Sequence, residues 1–204
     1  RLRHRPRNPG GRLGIRAGPG LQGDGAGDVL RHGQPWSVLR GGEDFPAAGG
    51  NIACLLAPVT LAVARNAINE LKAMAGKKTP LGSMVPIKER GVIQRKLGKA
   101  EALVESSRAY LHDRISKCWE RTKSGESISL EEKAGLALAA AHANQSCVEA
   151  IELMYTAAGS SGIYKKNKLA HYLSDAQVLR QHGFMNESRY ETAGQVLFGL
   201  PPDL

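Results

Sequence analysis

The chain has 204 residues and a formal net charge of +9, a length that fits one domain with or without a long appendage. Its three cysteines, Cys54, Cys118 and Cys147, show no CxxC spacing; this excludes a disulfide framework or zinc ribbon and fits buried thiols in a reducing cytoplasm. The longest apolar stretch, Ile52 to Ala64, runs straight into Arg65 and is too short to cross a bilayer; the basic start is not followed by an apolar core region, so no secretory signal is predicted.

Residues 1–50 differ in composition from the rest. They hold 13 of the 24 Gly, 5 of the 10 Pro and 8 Arg but no Lys. Runs such as Arg-Asn-Pro-Gly-Gly-Arg carry neither a helical nor a strand period. Ordering such a chain costs about 1–2 kcal/mol per residue in backbone entropy, with little burial to offset it. This stretch is therefore read as a disordered or loosely attached Arg/Gly-rich segment. Arg/Gly arms can hold nucleic-acid phosphates, but only Trp36 and Phe45 are present for base stacking, which argues against a nucleic-acid partner. Basic residues that are all Arg, among Gly, Pro and Ala, also match G/C-rich DNA read out of frame. Translating the other two frames upstream of Asn51 tests that reading.

From Asn51 onward the periodicity is helical. A first helix is predicted from about Pro58, suited to an opening turn, to Ala75, closed by Gly76. It is apolar nearly all round between Ala53 and Ala64, which predicts burial on most sides. The loop that follows, Gly76 to Pro86, resembles a phosphate-binding Gly-Lys-Thr loop only superficially. The earlier glycine that such a loop needs is replaced by Leu71, which excludes a nucleoside triphosphate site.

A second helix, about Glu89 to Lys123, carries Ile93, Leu97, Ala100, Val104, Ser107, Leu111, Ile115 and Cys118 at steps of three and four, the seam of a bundle helix. Glu101, Glu105 and Arg108 read as its solvated face. A third helix opens with the capping box Ser129-Leu-Glu-Glu132, and its seam runs through Ala137, Ala141, Asn144, Val148, Ile151 and Tyr155. The small run from Ala137 to Ala141 permits close helix approach. A fourth helix spans about Asn167 to His182, and Asn186 is placed to cap a short last helix ending near Val196. Nothing after Asn51 alternates like a strand. The predicted architecture is all-α, an antiparallel up-down four-helix bundle over residues 51–204.

Three features exceed packing. Gly159, Ser160, Ser161 and Gly162, in Ala158-Gly-Ser-Ser-Gly162, expose amides and hydroxyls that suit a phosphate or ribose, although spacing alone favours a plain helix C-cap and turn. Lys77 and Lys78, just past a helix end, either complement the helix dipole or hold a phosphate. His182, in Arg180-Gln-His-Gly183, is a candidate acid or base, or else a histidine that bonds the last helical carbonyls. His112, His142 and His171 have no metal-ligand spacing, and no metal site is predicted.

These features fall in the order found in one family. Ala75-Gly-Lys-Lys-Thr-Pro-Leu-Gly82, Leu97-Gly-Lys-Ala-Glu-Ala-Leu103, Ala139-Ala-Ala-His-Ala143, Tyr155-Thr-Ala-Ala-Gly-Ser-Ser-Gly162, Ser174-Asp-Ala-Gln177 and Arg189-Tyr-Glu-Thr-Ala-Gly-Gln-Val-Leu-Phe-Gly199 together resemble the C-terminal helical domain of the acyl-CoA dehydrogenase superfamily, from about Ile52 to Pro202. The resemblance implies a bundle that is one wall of a flavin and substrate site and also a homotetramer interface. It places Gly159, Ser160, Ser161 and Gly162 at the phosphate or nucleotide end of the flavin, and Lys77 or Lys78 beside the cofactor. Many acyl-CoA dehydrogenases end helix four with Tyr-Glu-Gly, the glutamate being the base. This chain has Gln181-His182-Gly183 there, which resembles the reduced-flavin hydroxylase (monooxygenase) branch. That branch acts on phenols, other aromatics, steroid-ring fragments or heterocycles, and takes reduced FMN or FAD from a separate reductase. His182 is then the expected base. An acyl-CoA dehydrogenase using a displaced base, Glu149 or Glu152, and a non-catalytic self-associating bundle are the alternatives. The N-terminal helical and middle β domains of the family have no counterpart in these residues, so the chain supplies one wall of a pocket.

Overall fold

The computed structural model describes residues 47–164 and 167–202, and side chains from Ala53 onward. The Arg/Gly-rich stretch up to residue 46, and with it the expectation of disorder there, lies outside the described residues. Five α-helices follow one another: α1 Ala47–Ala75, α2 Gly91–Lys123, α3 Leu130–Ala158, α4 Leu169–Arg180 and α5 Ser188–Leu197, with 3-10 turns at Ile87–Glu89 and Gly159–Gly162. No strand occurs among the described residues, and the all-helical class is as expected.

Helix α1 starts at Ala47, well ahead of the predicted start at Pro58, which lies inside the helix. An internal proline removes one helical hydrogen bond, here the one to the Cys54 carbonyl, and costs about 3 kcal/mol. The turns before it bury Ala53 and Ala57 completely, so core packing carries the helix through the proline. The expected burial on most sides is not found. Leu55 and Val59 remain about half exposed, at 47% and 49%, because α1 packs through one face against α3, α2 and α4.

Helix α2 buries Ile93, Ala100, Val104, Ser107, Leu111 and Cys118, with Leu97 and Ile115 partly buried beside them. This is the predicted seam. Its acidic face is more than solvated. Arg65 of α1 donates Nη1 to Glu101 (2.6 Å) and Nη2 to Glu105 (2.5 Å), so one guanidinium ties α1 to α2. At about one-third exposure of Arg65 and Glu101, such pairs contribute only about 0.2–1 kcal/mol each.

The capping box that starts α3 is present, with Ser129 Oγ accepting from the Glu132 amide (3.2 Å) and Glu132 Oε2 accepting from the Ser129 amide (2.8 Å). The seam expected along α3 is too narrow. Ala134, Leu136, Ala139, Ala140, Ala143, Cys147, Ala150, Met154 and Ala157 are buried as well, so the helix is enclosed nearly all round and packs against each of the other four. A string of alanines lets four helices approach one axis closely, because each removes a side chain's thickness from the interface.

Cross-contacts fix the directions. Lys99 meets Glu149 and Arg121 meets Glu132, so α2 and α3 are antiparallel. Gln177 meets Glu152 while Leu179 meets Asn144, so α4 returns along α3. The up-down order of α1 to α4 follows, with α5 added against α3. The arrangement is thus five helices around a central α3 rather than a simple four-helix ring. Helix α4 is shorter than predicted. Asn167 Oδ1 accepts from the Leu169 amide (2.9 Å), and the helix ends at Arg180 with i→i−3 bonds from Gln181 and His182 to Val178 and Leu179, a tightened last turn. His182 therefore stands in the connection to α5. The N-cap of α5 is Glu187, which makes no side-chain cap bond; the expected cap Asn186 stands one residue earlier, where its Oδ1 accepts the Ser188 amide (3.1 Å).

Candidate functional site

Lys78 and the Gly-Ser-Ser-Gly turn come together. The Lys78 Nζ donates to the Ala158 carbonyl at the C-terminus of α3, and it lies 3.8 Å from where a Gly159 Cβ would stand. The lysine thus complements the dipole of α3, not of the helix it follows. One of its three ammonium protons is used there, and two are left for an anion. Lys77 is exposed beside it. Gly159 is the C-cap of α3 at φ +58° and ψ −145°, a conformation that side-chain-bearing residues rarely adopt. Gly162 is needed for a different reason, since its Cβ would stand 3.2 Å from the Tyr155 carbonyl oxygen and 3.3 Å from the Tyr155 ring. Ser160 is exposed and Ser161 half-buried. The C-cap reading thus accounts for both glycines, and the Lys78 ammonium lies against this helix end with Ser160 exposed at the same corner.

A prediction follows for Gly159→Ala. The new Cβ meets no crowding, so the effect comes from backbone strain alone, about 1–3 kcal/mol. Thermal unfolding measures it, and an unchanged midpoint would mean the turn relaxes to an ordinary conformation.

His182 is not brought to that corner. Its turn stands at the level of Asn144, whose Nδ2 bonds Leu179 and Met185, fourteen residues before Ala158. At 1.5 Å per residue the two features are about 21 Å apart along α3. Within one chain they cannot serve the same end of a ligand. The His182 ring is exposed and tilted against Phe184, with centroids 5.5 Å apart. Its Nδ1 accepts a long hydrogen bond from the Phe184 amide, 3.4 Å.

Glu149 and Glu152 both line a groove of about 760 Å³ between α3 and the α4–α5 end, with His142, Gln145, Arg180 and Tyr190. Both carboxylates are engaged, Glu149 by Lys99 (2.7 Å) and Glu152 by Gln177 Nε2 (2.8 Å). Gln181, next to His182, lines an adjoining groove with Gln177 and Asn186. Burial pushes the thiols of Cys54 and Cys147 up to about 12, so neither is a nucleophile at neutral pH. No group of three or more His, Cys, Asp or Glu among the described residues could hold a metal ion. No helix of the described residues is long and apolar enough to cross a membrane.

A central alanine-rich helix ringed by four others, with a glycine-capped end beside a lysine, defines a helical domain that presents its sites at its surface rather than in an enclosed cavity. Residues 54–187 match the family described as acyl-CoA dehydrogenase, C-terminal domain, and the chain belongs to that family. It is similar to an indole-3-acetate monooxygenase of Pseudomonas putida, 30% identical over 195 residues, and to one of Acinetobacter baumannii, 26% identical over 194 residues; each alignment covers 90% of this chain and 50% of the relative. The chain thus spans about half the length of the curated relatives it matches. Among solved structures, XiaF from Streptomyces sp. in complex with FADH2 and glycerol shares the fold, with a TM-score of 0.73 at 18% identity over 78% of this chain and 40% of that one.

Proposed function

We propose that this chain is the C-terminal part of a two-component, reduced-flavin-dependent monooxygenase that hydroxylates a small aromatic substrate. The observation that carries the proposal is the match of nine-tenths of the chain to two indole-3-acetate monooxygenases. The Gln181-His182-Gly183 sequence, which lacks a carboxylate where acyl-CoA dehydrogenases carry their base, is consistent with it.

Lys77, Lys78 and the Gly159–Gly162 turn are the groups that would hold a phosphate of FAD or FMN. Bound reduced flavin supplies the two electrons that turn dioxygen into one inserted oxygen atom and one water. The 21 Å between that corner and His182 suits a homotetramer in which one chain contributes the phosphate corner and another the proton-transfer group. His182 is the proton-transfer group at the substrate. Removing a substrate proton through Nδ1 requires breaking the Phe184 contact. A cytoplasmic flavin reductase completes the system. The displaced-base dehydrogenase reading is weaker, because Glu149 and Glu152 are already held by Lys99 and Gln177.

The test supplies the full-length protein that contains this chain with reduced FAD or reduced FMN, dioxygen labelled with ¹⁸O, and indole-3-acetate or a phenol. The expected result is product carrying one labelled oxygen. Oxidation of an acyl-CoA with an artificial electron acceptor, and no labelled product, would instead establish the dehydrogenase. No flavin binding by that full-length protein would leave a self-associating helical domain.

A further inference from the structure

Asn144 is fully buried near the middle of α3, in a helix whose other core positions are mostly small and apolar. A buried amide that lacks its partners is costly, and here every polar atom has one. Its Oδ1 accepts from Thr60 Oγ1 of α1 (3.1 Å), and its Nδ2 donates to the carbonyls of Leu179 (3.1 Å) and Met185 (3.3 Å). The amide cannot flip, because Oδ1 would then face two carbonyl oxygens.

The two carbonyls lie three residues to either side of His182. The Leu179 carbonyl also accepts the His182 amide (3.1 Å), and the Met185 amide donates to the His182 carbonyl (2.8 Å). Both peptide groups of His182 are therefore bonded to residues whose own carbonyls are held by the two protons of one Asn144 nitrogen. Met185 is itself fully buried, which anchors the far end of the turn. We propose that Asn144 is a positioning residue for His182: its amide clamps both ends of the α4–α5 turn and, through Thr60, references the imidazole to the α1–α3 core. The inference rests on the reading of His182 as the proton-transfer group. A pure packing role would need no amide, since a leucine of similar volume fills the same space.

The test compares the unmodified chain with Asn144→Ala and with Met154→Ala, a core truncation on α3 that makes no bond to the turn. Amide hydrogen exchange and the NMR resonances of labelled histidine are the readouts. In Asn144→Ala the amides of His182 and Met185 should exchange about tenfold faster, relative to those of Val104 and Leu111 in α2, the equivalent of one to two lost hydrogen bonds. The His182 ring resonances should move with them. In Met154→Ala exchange should rise across the core together and the His182 ring should stay where it is. A uniform rise in Asn144→Ala, with an unmoved His182 ring, overturns the proposal. If Asn144→Ala does not fold, Thr60→Val serves instead. It leaves Oδ1 without its donor and cuts the tie to α1, so it should speed exchange at His182 and Met185 selectively, and equal exchange across the core overturns the proposal. In the hydroxylation assay, Asn144→Ala should lower kcat while KM holds. Should His182→Ala leave turnover unchanged, the functional reading of His182 fails, while the exchange data still decide whether Asn144 holds the turn.

Discussion

In the full-length protein, replacing His182 by alanine should lower hydroxylation by about 10²–10⁴ while reduced-flavin binding persists, the range expected when one positioned proton-transfer group is removed. The motive is local. His182 stands outside α4, exposed, on a turn whose ends are fixed by Asn144 and whose next residue but one, Phe184, both packs on the ring and donates its amide to Nδ1. Flavin binding should survive because the Lys78–Gly159 corner lies at the other end of α3. His182→Gln adds a discriminating step. Glutamine can donate a hydrogen bond but does not titrate near neutral pH. A variant that recovers most of the activity would show that His182 acts by hydrogen bonding, and one as slow as alanine would show proton transfer. Turnover equal to the unmodified protein in both variants would remove His182 from the mechanism. Rates under saturating reduced flavin, with flavin affinity measured separately by fluorescence, separate these outcomes.

How much of this was legible in the sequence depends on how local the cause is. The α2 seam and the Ser129–Glu132 capping box could be read directly, because helical periodicity and a reciprocal three-residue cap are local. The start of α1 was not, since Pro58 is a local helix-opening signal and the burial of Ala53 and Ala57 is a tertiary fact. Arg65 bridging Glu101 and Glu105 joins residues 36 and 40 positions apart, which no helical wheel shows. Of the candidate site, the glycines at 159 and 162 and the lysine at 78 were visible as residue types, but their convergence was not. The bond from Lys78 to Ala158 spans 80 positions. Asn144 was placed on the α3 seam as one more inward residue, and its amide chemistry was the available clue, because a polar side chain on an apolar seam must find partners. The first 50 residues were read from composition alone. The alignment with the monooxygenases covers 90% of the chain, more than residues 51–204 can supply, so part of that stretch is shared with these relatives.

The width of the α3 interface supplies the second large effect. Met154→Ala should destabilise the fold by about 2–5 kcal/mol, measured as the change in unfolding free energy in denaturant. Met154 is fully buried, as are Ile151 one turn before it and Ala158 one turn after. Met154 belongs to the core that α3 shares with α1, α2 and α4, and an alanine-rich wall has few side chains long enough to swing into the space left behind. The cavity should therefore persist, which puts the cost above the transfer term of the lost atoms. Tyr155 makes the comparison sharp. Seam periodicity assigns the core position to Tyr155 and none to Met154, whereas the structure leaves Tyr155 half-buried, with its ring packed beneath Gly162. If α3 presented only a single seam, Tyr155→Ala would be the more damaging change and Met154→Ala nearly silent. A helix enclosed nearly all round requires the truncation at 154 to disrupt the core that α3 shares with α1, α2 and α4. Truncation at 155 should act mainly on the Gly159–Gly162 turn, so its signature is a loosened C-terminus of α3 with a smaller loss of global stability.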